Sequence, residues 1–116
     1  MQTIRINKHN IQDQWFNIII NLPAKLQLGS KDLNLLLEAF RRKHLLKAEE
    51  KFLGLGCPSD YKSKLFQSSF GELVPRATNW FTLTELGKEK MKELEEILVV
   101  EPGSESVINE VFFANS

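Results

Sequence analysis

Few side chains in this 116-residue chain are of the types that do covalent or metal chemistry. His9 and His44 have no partners at metal-ligand spacing, and Cys57 is the single cysteine, so no zinc site is expected. Cys57 stands beside Pro58 with no base nearby in sequence, the setting of an inert thiol rather than an activated nucleophile. The "GLG" at Gly54 to Gly56 lacks the third glycine and the preceding strand of a phosphate-binding loop. No cofactor and no enzymatic activity are therefore expected. What the chain does offer is hydrogen-bonding chemistry on a helix. After the cap candidate Ser59, "DYKSKLFQSSFGEL" gathers Tyr61, Leu65, Phe66, Phe70 and Leu73 on one side at 100° per residue. The opposite side holds Ser63, Lys64, Gln67 and Gly71, with Ser68 at its margin. An apolar back thus carries an outward face of short polar and basic groups.

Bulk charge limits what that face can meet. Lysine plus arginine equals aspartate plus glutamate, 15 against 15. A zero balance argues against a strong nonspecific polyanion binder, although distribution matters more than the sum. From Arg41 to Lys64 seven bases face three acids, a balance of +4. From Glu85 to Glu110 three bases face eight acids, a balance of −5. The middle is basic and the C-terminal part acidic. "RRKHLLK" (Arg41 to Lys47) reads either as a phosphate-contacting patch or as the basic last turn of a helix, which the helix dipole favours. The longest apolar runs are far too short to span a bilayer, and residues 1 to 20 carry polar groups throughout. With no disulfide possible, a cytoplasmic location is the expectation, without a membrane partner.

The elements that would position the polar face follow from periodicity and caps. "TIRIN" (residues 3 to 7) alternates as a short strand. Residues 10 to 22 fit a helical stripe of Ile11, Trp15, Ile18, Ile19 and Leu22, but Phe16, Ile18, Ile20 and Leu22 alternate equally well as a strand. Asn10 as a cap and Pro23 just past the end favour helix. Ser30 caps a predicted helix from about Lys31 to Lys43, and Leu45 to Leu53 reads as a second one ending at "GLGCP". "ELVPRATNWFTLT" reads as a small hairpin with polar turn material at "RATN". Thr84 then caps a new helix, with Glu85 in its first turn and Leu86, Met91, Leu94 and Leu98 facing inward. Gly87 costs helix propensity, so its expected use is close approach to neighbouring backbone. Val99–Val100 and "VINEVFF" suggest a terminal strand or hairpin.

The order is then α-α-α-β-β-α, an α+β, mainly helical chain. At the hairpin-to-helix junction, "WFTLTELGKEKMKEL" resembles the wing and following helix of winged-helix proteins. MarR-like and PadR-like transcriptional regulators carry an aromatic-x-Leu-Thr-x-x-Gly-basic pattern there, matched here by Phe81, Leu83, Thr84, Gly87 and Lys88. The resemblance covers about residues 31 to 98. It implies a winged helix-turn-helix domain at 31–98, an N-terminal extension at 1–30 and a C-terminal strand and tail at 99–116.

In such proteins the third helix lies in the DNA major groove and the wing touches adjacent backbone or minor groove. By resemblance, a recognition helix at about 60–71 would aim Ser63, Lys64, Gln67 and Ser68 at base edges or phosphates, and Lys62 would reach phosphate. Arg76, at the tip of a wing at about 72–83, would lie in or along the minor groove with Asn79 beside it. The expected function is a small regulator binding double-stranded DNA as a homodimer. The alternative is a winged-helix adaptor that contacts protein and not DNA. Trp15 to Leu22 and Val107 to Phe113 lie outside the expected winged core and are expected to bury against a second copy.

Overall fold

A computed structural model describes residues 3–48, 55–56, 69–74 and 80–114. The first element is strand β1 (Ile4–Ile6), in which Ile4 and Ile6 are buried and Arg5 is exposed, the alternation expected of a strand with one apolar face. Helix α1 (Ile11–Leu26) resolves the ambiguous isoleucine run as helix. It buries Ile11, Ile18, Leu22 and Leu26 on a single stripe. Asn10 holds the cap position but makes no side-chain cap bond. Its Oδ1 instead accepts from Asn7 N at 2.8 Å, and its Nδ2 donates to Arg5 O at 3.0 Å, which fixes the turn out of β1.

Pro23 lies inside α1, not beyond it. It has no N–H to give the Ile19 carbonyl, yet the helix runs one turn further and ends in a Schellman motif: Gln27 takes a left-handed conformation, and Leu28 N donates to Pro23 O at 2.8 Å. The freed Leu26 carbonyl accepts from Lys90 Nζ at 2.7 Å. Lys90 is therefore half-buried and ties two helices.

Helix α2 (Ser30–Phe40) has Gly29, not Ser30, at its cap, and continues into a π-helical turn, Arg41–Leu45. Lys47 adopts a left-handed φ of 56°, which ends the helical run. The expected helix at 45–53 therefore does not begin at Leu45, and residues 49–53 lie outside the described residues.

Strands β2 (Leu55–Gly56), β3 (Gly71–Val74) and β4 (Trp80–Leu83) form an antiparallel sheet in the order β2-β4-β3. Helix α3 (Glu85–Ile97) runs without a loop into β5 (Leu98–Val100), which pairs in parallel with β1, Ile4 opposite Leu98. Helix α4 (Glu105–Ala114) corrects the expected terminal strand or hairpin. Its buried residues Ile108, Val111 and Phe112 recur at three to four positions, a period that a strand could not keep on one face. The chain is thus mainly helical with two small sheets, an α+β arrangement.

One apolar cluster joins these elements, from Ile4 to Phe112. Part of the apolar surface expected to await a second copy is used within the chain: Ile18 and Leu22 are fully buried, and Trp15 meets Phe112 edge-on at 4.5 Å between ring centroids. In α3 the inward face is Gly87, Met91, Leu94 and Ile97, whereas Leu86 is exposed.

Candidate nucleic-acid interface

The hairpin that would act as a wing is paired as the sequence suggests. Gly71 stands opposite Leu83, and Val74 opposite Trp80, which leaves residues 75–79 to join the strands. On the other edge of β4, Leu55 pairs with Phe81 and Gly56 with Trp80. Segment 57–70 therefore leaves the sheet at one edge and returns to it at the other.

Thr84 secures that return. Its backbone N donates to Phe70 O at 3.1 Å, and its hydroxyl donates to Ser69 O at 2.8 Å. The same hydroxyl accepts from Gly87 N at 3.1 Å, the helix cap expected from sequence. One side chain thus caps α3 and fixes the end of the segment that enters β3. Gly87 completes the joint. A Cβ there would overlap the Phe70 carbonyl oxygen and lie 2.9 Å from its carbon. The expected close approach of α3 to backbone is present, and its target is Phe70. Residues 69 and 70 form a turn and Gly71 opens β3, so a helix in this segment stops short of the expected Gly71.

Lys62, Ser63, Lys64, Gln67, Ser68, Arg76 and Asn79, the residues expected to meet DNA, all lie outside the described residues. So does Cys57. The described framework holds the two ends of the segments that carry them.

Four side chains of the basic run after α2 share two carboxylates of the chain, Glu38 and Glu95. Arg41 Nε and Nη2 donate to the two oxygens of Glu38 at 3.0 and 2.5 Å, and Arg42 Nε joins Glu38 at 3.1 Å. Lys43 Nζ and His44 Nε2 both meet Glu95 Oε2, at 2.9 and 2.8 Å. Glu38 was legible as a partner, being three and four residues before the arginines on one helix. Glu95 comes from α3, and no local pattern points to it. Of the two readings of this run, the patch for phosphate loses its free cations at Arg41 and Lys43. Among the described residues no group of three His, Cys, Asp or Glu side chains could hold a metal ion, and no helix is long and apolar enough to cross a membrane.

Glu95 also carries a pH dependence. Burial raises its pKa, but hydrogen bonds from Lys43 and His44 and their charges outweigh this and hold it below its ordinary value near 4.5. A depressed carboxylate pKa stabilises the fold above the unfolded value, and that stability is lost as pH falls through the folded one. The Tm difference between wild type and Glu95→Gln should therefore be largest near neutral pH and shrink below about pH 4.5. A difference that stays constant from neutral to acid pH in thermal melts would contradict the ion-pair account.

Compared with known proteins, the chain matches no family model, no curated protein and no solved structure.

Proposed function

We propose that this chain is a small winged-helix transcriptional regulator that binds double-stranded DNA as a homodimer. The observation that carries the reading is the joint between hairpin and helix. Strand β4 lies between β2 and β3 and runs through Thr84 directly into α3. Segment 57–70 begins and ends on the edges of that sheet, beside the hairpin. In this reading segment 57–70 supplies the recognition helix and residues 75–79 the wing tip. Lys64 and Gln67 act at base edges with Ser63 and Ser68. Lys62 holds phosphate, and Arg76 with Asn79 follows the minor groove.

The basic residues of this reading differ from the run at Arg41 to His44, whose charges are already paired. The DNA contact rests on few cations, and its affinity depends correspondingly on base recognition.

The deciding measurement is a salt titration of binding to genomic duplex fragments. Gln67→Ala should relax preference at about one base position and cost on the order of 1–3 kcal/mol on a specific site. Lys62→Ala should weaken all sequences alike and lower the salt slope by about one unit. Arg76→Ala should lose most where an A·T-rich flank narrows the minor groove. Wild-type protein that shows no salt-dependent binding to any duplex would remove the DNA reading and leave the adaptor.

A further inference from the structure

Phe16, on α1, is 73% exposed, and Ile20, one turn further, is 56% exposed. Ile19 beside them is 37% exposed. A single exposed apolar residue needs no explanation, but three at i, i+3 and i+4 form one stripe. The stripe borders a groove of about 640 Å³ between α1, the start of α2 and the end of α4. Trp15, Leu33 and Val111 form its floor, and Phe16, Ile19 and Ala114 stand at its walls. Among the described residues no charged side chain lines it, in a chain where charged residues make up 26%.

We infer that this groove and stripe are the surface through which two copies of the chain pair about a two-fold axis, Phe16 of each entering the groove of the other. Shape carries the first part of the argument. An isologous contact needs a patch complementary to itself, with projection and hollow on one face. Here an aromatic side chain projects at the rim of a hollow lined by apolar and neutral polar groups. Charge carries the second part. The groove offers nothing to select an acidic or basic partner, and a chain of zero net charge does not repel its own copy.

Area carries the third. Large apolar side chains bury about 150–250 Å² each, so the exposed parts of these three amount to roughly 300 Å² per copy. Two copies reach roughly 600 Å² before the groove walls are counted, and specific interfaces span about 1,200–2,000 Å² in total. The groove walls must supply the remainder, and the expected dimer is a weak one at the low end of specific interfaces. Among the described residues the groove is lined by helical ones. The inference gives the proposed regulator its dimer surface, and it rests on that reading only for its purpose.

Sedimentation equilibrium from about 1 to 200 µM, without DNA, tests it. Wild type should dimerise within that range, and Phe16→Glu and Ile20→Glu should each weaken association at least about tenfold. Both side chains are mostly exposed, so circular dichroism melts of the two variants should match wild type. Geometry is checked separately in a Cys57→Ser background. Phe16→Cys mixed with Asn34→Cys should form a disulfide-linked heterodimer under mild oxidation, because Asn34 is exposed and lines the groove that Phe16 of the other copy enters. A monomer throughout the range, or a dimer indifferent to both glutamates and uncrosslinked by the cysteine pair, overturns the inference. A dimer that ignores every duplex removes the DNA reading alone, and a monomer that binds duplex removes the dimer alone.

Discussion

Gly87→Ala is expected to destabilise the protein by about 3 kcal/mol, although helix propensity alone favours alanine there by about 1 kcal/mol. The sign turns on one contact. Gly87 is buried in the first turn of α3, and an added Cβ would overlap the Phe70 carbonyl oxygen. That oxygen already accepts from Thr84 N, so it cannot swing away without breaking the bond that ends segment 57–70. The obstacle is backbone, not the flexible end of a side chain, and relief requires α3 or the start of β3 to move. Leu83, on the other side, would lie 3.2 Å from the new atom.

Gly29→Ala is the matched control. No atom lies within 4 Å of a Cβ at that position, so its change should stay within about 1 kcal/mol. Urea unfolding of both variants, followed by circular dichroism, separates the two accounts. If Gly87→Ala is as stable as wild type or more so, α3 does not approach Phe70 as closely as described, and the joint between hairpin and helix loses its basis.

That joint was legible in sequence because its parts are local. Thr84, Glu85 and Gly87 lie within one helical turn of a strand-like run, and a cap, an acid in the first turn and a costly glycine each carry a positional meaning. β1 was legible from alternation, whereas α1 was chosen over a strand on Asn10 and Pro23, of which one makes no side-chain cap bond and the other lies inside the helix. The errors have one common origin, which is that distant partners override local signals. Pro23 marks an end in sequence, yet burial of Leu22 and Leu26 in the core carries α1 one turn past it. The valine and phenylalanine run at 107–113 has strand propensity, but burial of Ile108, Val111 and Phe112 together requires a helix. Leu86 fits an inward position by composition, and Gly87 takes that position because only a residue without a side chain fits against Phe70. For the candidate site, sequence supplied the residues and the structure supplied the frame around them. The pairing of Lys43 and His44 with Glu95 spans some fifty positions, and no local pattern reports it.

The second large effect is expected at Arg41, a side chain only 8% exposed. Its guanidinium binds both oxygens of Glu38, donates from Nη1 to Asn109 Oδ1 at 3.0 Å, and lies 4.2 Å from the centre of the Phe113 ring. One cation therefore links α2 to α4 through a carboxylate, an amide and an aromatic face. Arg41→Leu keeps apolar volume but removes every one of these contacts. It also leaves the largely covered Glu38 short of its bidentate partner, and breaking a buried pair from one side costs about 3–5 kcal/mol. Arg42 shares Glu38 and softens the loss, so about 3 kcal/mol is expected. The companion variant decides whether charge or packing is responsible. Glu38→Leu combined with Arg41→Leu removes the carboxylate too, and replacing a whole buried pair with apolar groups is often close to neutral. The double variant should therefore recover at least about half of the loss in chemical denaturation. If the double variant is instead the sum of two damaging changes, α4 is held by the shape of the arginine against Phe113 and Asn109, and the ion pair contributes little.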